Sequence, residues 1–126
     1  MNYWEKRKKA FGFALQGILG FFKEESHAQI HLFMAVVVIL AGIIFDISSF
    51  EWMICGLCIS MVVISEMFNS SLENLVNLVS PQKNKLAGKA KDLAAGAVLI
   101  ASCISALIGF FIFLPKIWKA LERYVN

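Results

Sequence analysis

An uncharged run of 22 residues, positions 93–114, places the strongest constraint on the fold of this chain. A helix needs about 20 mainly apolar residues to cross the hydrocarbon layer of a bilayer. The chain has 126 residues and is 59 % hydrophobic but only 17 % charged, whereas soluble domains are about 45–50 % apolar and about 25 % charged. A soluble core of this size cannot hide so much apolar surface. We therefore predict a membrane protein with a single domain over residues 1–126.

Two further apolar segments are predicted to cross the membrane as helices. The first covers about residues 28–47 and the second about residues 52–79. Only residues 52–65 of the second are free of charge, but its helical pattern continues into polar residues and gives a helix of about 42 Å. With residues 86–114 as the third span, the predicted fold is an all-α membrane protein with three transmembrane helices.

The segment before the first span, residues 3–24, has the pattern of an amphipathic helix. Phe11, Leu15, Ile18 and Phe22 recur at helical spacing, while lysines occupy other faces of the same helix. A helix of this kind is suited to lie in the membrane interface. We therefore expect an N-terminal surface helix.

Lysine and arginine are distributed unequally between the two ends of the predicted spans. Residues 6–23 and 83–91 carry nine of the twelve basic residues, the tail carries three, and the connection 46–51 carries none. Basic loops remain on the cytoplasmic side of a membrane, so we expect both basic segments to face the cytoplasm. The basic residues flank apolar runs, which is typical of contact with lipid headgroups and not of nucleic-acid binding.

The cytoplasmic end of the second span carries a polar stripe. Glu66, Asn69, Glu73 and Asn77 follow at steps of three, four and four, which places them on one face of a helix. Carboxylates at membrane depth are costly unless they are paired, hydrated or bound to a cation. The stripe indicates either a metal or substrate site or a solvated helix end, and its spacing alone leaves both open.

Residues from two other segments are predicted at the same depth. Glu25 precedes the first span, and Lys91 and Asp92 open the third. Carboxylates suit Mg²⁺ and a lysine suits phosphate, so this combination favours phosphoryl transfer at a membrane surface. The chain has neither a P-loop nor protein-kinase motifs, so a nucleotide site would have to be built differently.

These residues resemble the bacterial integral-membrane diacylglycerol kinase and undecaprenol kinase family. The resemblance is carried by Glu66-x-x-Asn69-x-x-x-Glu73, by "GKAKD" at residues 88–92, by "AAGAVLI" at residues 94–100, and by Glu25 before the first span. It implies a homotrimer of three-span subunits, each with a surface helix, in which neighbouring subunits share active sites.

The resemblance also implies roles for individual residues. Glu66 matches the general base for the lipid hydroxyl, and Asn69 matches a catalytic residue that organises nucleotide and metal. Glu25 and Glu73 match the carboxylates that hold metal ions. The implied nucleotide-binding positions are Lys6, Phe13, Asn69, Glu73, Asn77, Gln82, Asn84, Lys91 and Asp92. Phe13, Asn77, Gln82 and Asn84 depart from the residue types usual in the family, which leaves the nucleotide preference open.

The function implied by the resemblance is that of an ATP- and Mg²⁺-dependent lipid kinase in the bacterial inner membrane, with its active site facing the cytoplasm. The acceptor would be a lipid alcohol, undecaprenol or diacylglycerol, and the product a lipid phosphate. Two alternatives stay open. A small proton-coupled exporter would also carry an intramembrane glutamate, although it would typically have four spans, and a non-catalytic homologue would keep the fold without the activity.

Overall fold

The computed structural model describes residues 2–125, which form four α-helices. These are α1 (Tyr3–Glu24), α2 (Ser26–Ile44), α3 (Ser49–Val79) and α4 (Lys85–Val125). By length and composition, α2, α3 and α4 could each cross a membrane. The predicted all-α membrane fold with three spanning helices is confirmed, whereas the interfacial position of α1 and the homotrimer remain predictions.

The turn between α2 and α3 is short and well capped. Asp46 has a φ of 46°, in the left-handed region that Asp adopts more readily than most residues. The Ser48 N–H donates to the Glu51 carboxylate at 2.7 Å, and the Ser48 hydroxyl accepts from the Glu51 N–H at 3.2 Å. This reciprocal capping box fixes the start of α3 at Ser49, ahead of the predicted residue 52.

Helix α4 continues beyond the predicted span of residues 86–114. It passes through Pro115 and reaches Val125, for a total length of about 60 Å. Proline has no amide hydrogen, so the carbonyl of Phe111 loses its usual donor within the helix. The predicted span followed the uncharged run, whereas the backbone stays helical after the charges begin.

Helices α3 and α4 form an antiparallel hairpin with an ion pair at each end. Lys91 Nζ lies 3.1 Å from Glu73 Oε1 at one end, and Lys116 Nζ lies 3.2 Å from Glu51 Oε2 at the other. The part of α3 between these two carboxylates is about 33 Å long. The hydrocarbon core of a bilayer is about 30 Å thick, so the separation of the two ion pairs matches the thickness that a spanning hairpin has to cross.

The buried residues of α3 are Cys55, Val62 and Glu66. Their steps of seven and four place them on one face of the helix. A cavity of about 570 Å³ lies between α2, α3 and α4; its lining is mainly apolar and contains none of the predicted site residues. Most other large apolar side chains are exposed, as expected of a chain whose surface contacts lipid or neighbouring subunits.

Gly42 of α2 lies directly against the indole of Trp52 of α3. A Cβ at this position would lie 2.6 Å from the nearest indole carbon. We predict that Gly42→Ala lowers the free energy of unfolding by about 1–3 kcal/mol, because the added methyl forces the indole to move. Unfolding in detergent micelles, followed by circular dichroism, measures the change. Gly56→Ala is the matched control, since a Cβ there meets no atom within 4 Å; equal stability of the two variants would contradict the prediction.

Candidate active site

Glu66 is a buried charged side chain on α3, with 4 % of its surface exposed. It lies about 10 Å along the helix from Glu73, on the side of the ion pair that faces the hydrocarbon. Glutamate is almost never fully buried unless it is paired, and within residues 2–125 no ion pair joins Glu66. The Glu66 carboxylate is therefore shielded from solvent, on the apolar side of the Glu73–Lys91 pair.

Exposure increases along the polar stripe of α3. Glu66 is buried, Asn69 is half-buried, and Glu73 and Asn77 are exposed. The stripe covers about 16 Å along the helix axis. It therefore leads from the interior of the protein to its solvent-exposed surface near the end of α3.

Lys91 joins this stripe to α4. Its Nζ lies 3.1 Å from Glu73 Oε1 and donates a hydrogen bond to Asn77 Oδ1 at 3.2 Å. Glu73 and Asn77 are one helical turn apart, so a single ammonium group contacts two adjacent turns of α3. The structure thus brings together three of the residues that the resemblance assigns to nucleotide binding.

Glu25 forms the corner between α1 and α2. Its backbone is extended, with φ −95° and ψ 117°, and therefore ends one helix and begins the next. Its N–H donates to the Phe21 carbonyl at 3.1 Å, and its carbonyl accepts from the Gln29 N–H at 3.2 Å. The half-buried Glu25 side chain takes no part in these bonds.

The predicted metal ligands, Glu25 and Glu73, belong to no cluster of metal-binding side chains among the described residues. Across residues 2–125, no three side chains of His, Cys, Asp or Glu lie close enough to hold a metal ion together. Mg²⁺ is commonly bound through only one or two carboxylates and the phosphates of a substrate. The carboxylate of Glu73, beside the lysine, fits that mode of binding.

Asn84, which the resemblance assigns to nucleotide binding, caps the start of α4 in the structure. Its Oδ1 accepts hydrogen bonds from the N–H groups of Leu86, at 2.8 Å, and Ala87, at 3.2 Å. These are the bonds of a helix N-cap, for which asparagine is a preferred residue. An asparagine directly before a helical pattern is a signal that would have identified this cap.

The remaining predicted nucleotide residues lie at separate points of the chain. Gln82 is in the connection between α3 and α4, where its carbonyl accepts from the Ser80 hydroxyl at 3.4 Å. Lys6 and Phe13 are exposed on α1, and Asp92 is exposed on α4 beside Lys91. Their part in nucleotide binding stays a prediction.

Comparison with known proteins places these residues in a family. Residues 12–113 match the family model described as prokaryotic diacylglycerol kinase. The chain belongs to this family. The undecaprenol kinase of Bacillus subtilis (strain 168) is 38 % identical over 109 residues, which cover 86 % of this chain and 89 % of that protein.

Two diacylglycerol kinases are also similar to the chain. That of Synechocystis sp. is 33 % identical over 109 residues, covering 86 % of this chain and 62 % of the relative. That of Haemophilus influenzae is 27 % identical over 96 residues, covering 76 % of this chain and 81 % of the relative. The resemblance to this family is confirmed, and as a member of the prokaryotic diacylglycerol kinase family the chain is a lipid kinase. Family membership disfavours the exporter hypothesis.

The Glu73–Lys91 pair is too exposed to be an important source of stability. The side chains of Lys91 and Glu73 are 35 % and 49 % exposed, and exposed ion pairs contribute about 0–1 kcal/mol. We predict that a double-mutant cycle with Glu73→Gln and Lys91→Met gives a coupling free energy of unfolding of about 1 kcal/mol or less. Thermal unfolding of the four proteins in detergent measures it. A coupling of about 3 kcal/mol, the size found for buried pairs, would contradict this assignment.

Proposed function

We propose that this protein is an ATP- and Mg²⁺-dependent lipid kinase that transfers the γ-phosphoryl group to the hydroxyl of a membrane lipid alcohol. The product is a lipid phosphate. Undecaprenol is the first candidate acceptor, because the undecaprenol kinase of Bacillus subtilis is 38 % identical to this chain. Diacylglycerol is the second, since the diacylglycerol kinases are less similar.

The observation that carries this proposal is the course of the polar stripe on α3. It begins at the buried Glu66 and leads to the exposed Glu73 and Asn77, which both contact the ammonium group of Lys91. A lipid hydroxyl remains near the membrane, whereas a nucleotide arrives from water. A kinase for such an acceptor needs a group on the lipid side joined to a charged group on the aqueous side, and the stripe supplies both.

Glu66 is proposed to accept the proton of the lipid hydroxyl as that oxygen forms its bond to phosphorus. A general base contributes about 10²–10⁴-fold to a rate when it is positioned within hydrogen-bond reach. Asn69, one turn further along the same face, is proposed to hold the reacting groups in line. Positioning of this kind accounts for most of the catalysis of phosphoryl transfer.

Lys91 is proposed to bind the phosphate oxygens of the nucleotide. In the structure its ammonium group contacts Glu73 and Asn77, so phosphate binding would exchange one or both of these partners for phosphate oxygens. Asn77 is neutral and leaves Lys91 a single carboxylate partner. The positive charge of Lys91 is therefore less neutralised than it would be between two carboxylates.

Glu25 and Glu73 would hold Mg²⁺. When bound, this ion would neutralise part of the negative charge of the triphosphate. The proposed nucleotide site is completed by Lys6, Phe13, Gln82, Asn84 and Asp92.

We place this site at the cytoplasmic face of the inner membrane, because nine basic residues lie in the two segments on that side of the predicted spans. A homotrimer, in which a neighbouring subunit supplies further side chains, would complete the ligand set around the metal.

The kinase proposal predicts transfer of label from γ-labelled ATP to a lipid alcohol. The purified full chain, in detergent with Mg²⁺, should label undecaprenol or diacylglycerol, and parallel reactions with each alcohol identify the acceptor. Glu66→Gln should lower turnover about 10²–10⁴-fold, because the amide cannot take up the proton. Its melting temperature and oligomeric state should match those of the native protein.

Glu122→Gln makes the same chemical change as Glu66→Gln, but at the far end of α4. It is the control and should leave turnover unchanged. Unchanged turnover in Glu66→Gln would remove Glu66 from its role as the base. Absence of transfer to either alcohol by the native protein would instead support the non-catalytic alternative.

A further inference from the structure

The C-terminal end of α4 is a second candidate binding surface, and it lies beyond the residues that match the family model. The match stops at residue 113, whereas α4 continues to Val125. The ion pair of Lys116 with Glu51 places the start of this extension at the edge of the hydrocarbon opposite to the candidate active site. The extension, residues 116–125, therefore begins at the headgroup layer of the opposite leaflet.

The extension has a basic face. Lys116, Lys119 and Arg123 follow at steps of three and four, so they lie on one side of the helix. Lys116 is occupied by Glu51. Among the side chains that the structure describes, Lys119 and Arg123 form no ion pair. Two cations are thus presented one and two turns beyond the hydrocarbon edge.

The other side of the extension is apolar and exposed. Trp118 and Leu121 are 64 % and 56 % exposed. The indole N–H of Trp118 donates to Glu122 Oε1 at 2.6 Å, which satisfies its polar atom and removes Glu122 as a partner for the cations. Tryptophan with its apolar ring toward lipid and its N–H bonded is typical of the membrane interface.

We propose that the extension, residues 116–125, binds the headgroups of anionic phospholipids in the leaflet opposite to the candidate active site. Lys119 and Arg123 contact the phosphodiester groups, and Trp118, only two residues beyond Lys116, lies against the upper part of the acyl chains. The rise from Trp118 to Arg123 is about 8 Å, close to the thickness of one headgroup layer, about 5–8 Å. This proposal is independent of the kinase chemistry.

Trp118 itself provides a local probe for this interaction. The full-length protein is reconstituted into vesicles of equal parts phosphatidylglycerol and phosphatidylcholine, in which one or the other lipid carries brominated acyl chains that quench indole fluorescence on contact. The Trp118 signal is the difference between the native protein and Trp118→Phe. We expect brominated phosphatidylglycerol to quench this signal at least about fivefold more effectively, the enrichment produced by one cation near an anionic surface.

The double variant Lys119→Gln, Arg123→Gln should bring the ratio of the two quenching efficiencies close to one. Lys83→Gln, Lys85→Gln is the matched control, because it removes two positive charges at the other end of the α3–α4 hairpin, and it should leave the ratio unchanged. Equal quenching by the two lipids in the native protein would overturn the proposal, as would a ratio that survives the double variant. Protection of Trp118 from both lipids would also overturn it and would indicate that a second copy of the chain covers this surface.

Discussion

The register of the α3–α4 hairpin, with an ion pair at each end, is the constraint on which the arrangement of the candidate site depends. Each pair is partly exposed and therefore contributes little free energy. Packing between the helices sets which residues of α4 lie beside which residues of α3, and the two pairs form only in that register. A slip of one helical turn, about 5.4 Å, would break both pairs at once. This register keeps Lys91 beside Glu73 and Asn77.

The arrangement along α3 explains how a short chain could bind one substrate from the membrane and another from water. The acceptor of a lipid kinase cannot leave the membrane, and the donor cannot enter it. Along one face of α3, the side chains change from a carboxylate with 4 % exposure to a solvent-accessible ion pair within about 10 Å. This distance is short enough for a lipid hydroxyl and a nucleotide phosphate to meet along this face of α3. The proposed reaction therefore needs no separate soluble domain to deliver the nucleotide.

The sequence predicts the features that depend on hydrophobic length and helical period. Three apolar segments could be recognised because a span must exceed the hydrocarbon thickness, and the polar stripe could be recognised because its steps match the helical period. The depth shared by Lys91 and the stripe was also predicted. Their contact could not be predicted, because it depends on the rotation of α4 about its own axis, which packing between helices decides.

The start of α3 and the end of α4 lie outside the predicted spans, because a helix can extend beyond its apolar run. Ser48 and Glu51 start α3 before its apolar run begins, and Asn84 starts α4 although the resemblance assigns it to a nucleotide. Helix α4 extends past Pro115 because the residues that follow favour a helix. Some of these residues are charged, so the apolar pattern did not include them in the predicted span. The position of Glu25 relative to Glu73 does not follow from the sequence, since it depends on how separate helices, and in a homotrimer separate subunits, are packed.

The most direct test of this account measures where the metal–nucleotide complex binds. Nitroxide labels are attached at Lys85→Cys or at Ser49→Cys, in protein whose Cys55, Cys58 and Cys103 are replaced by alanine, and Mn²⁺ with ATP is added in place of Mg²⁺. We expect strong paramagnetic broadening of the label at residue 85 and little at residue 49, because a hydrocarbon layer of about 30 Å separates the two positions. Equal broadening at both positions, or stronger broadening at residue 49, would contradict it.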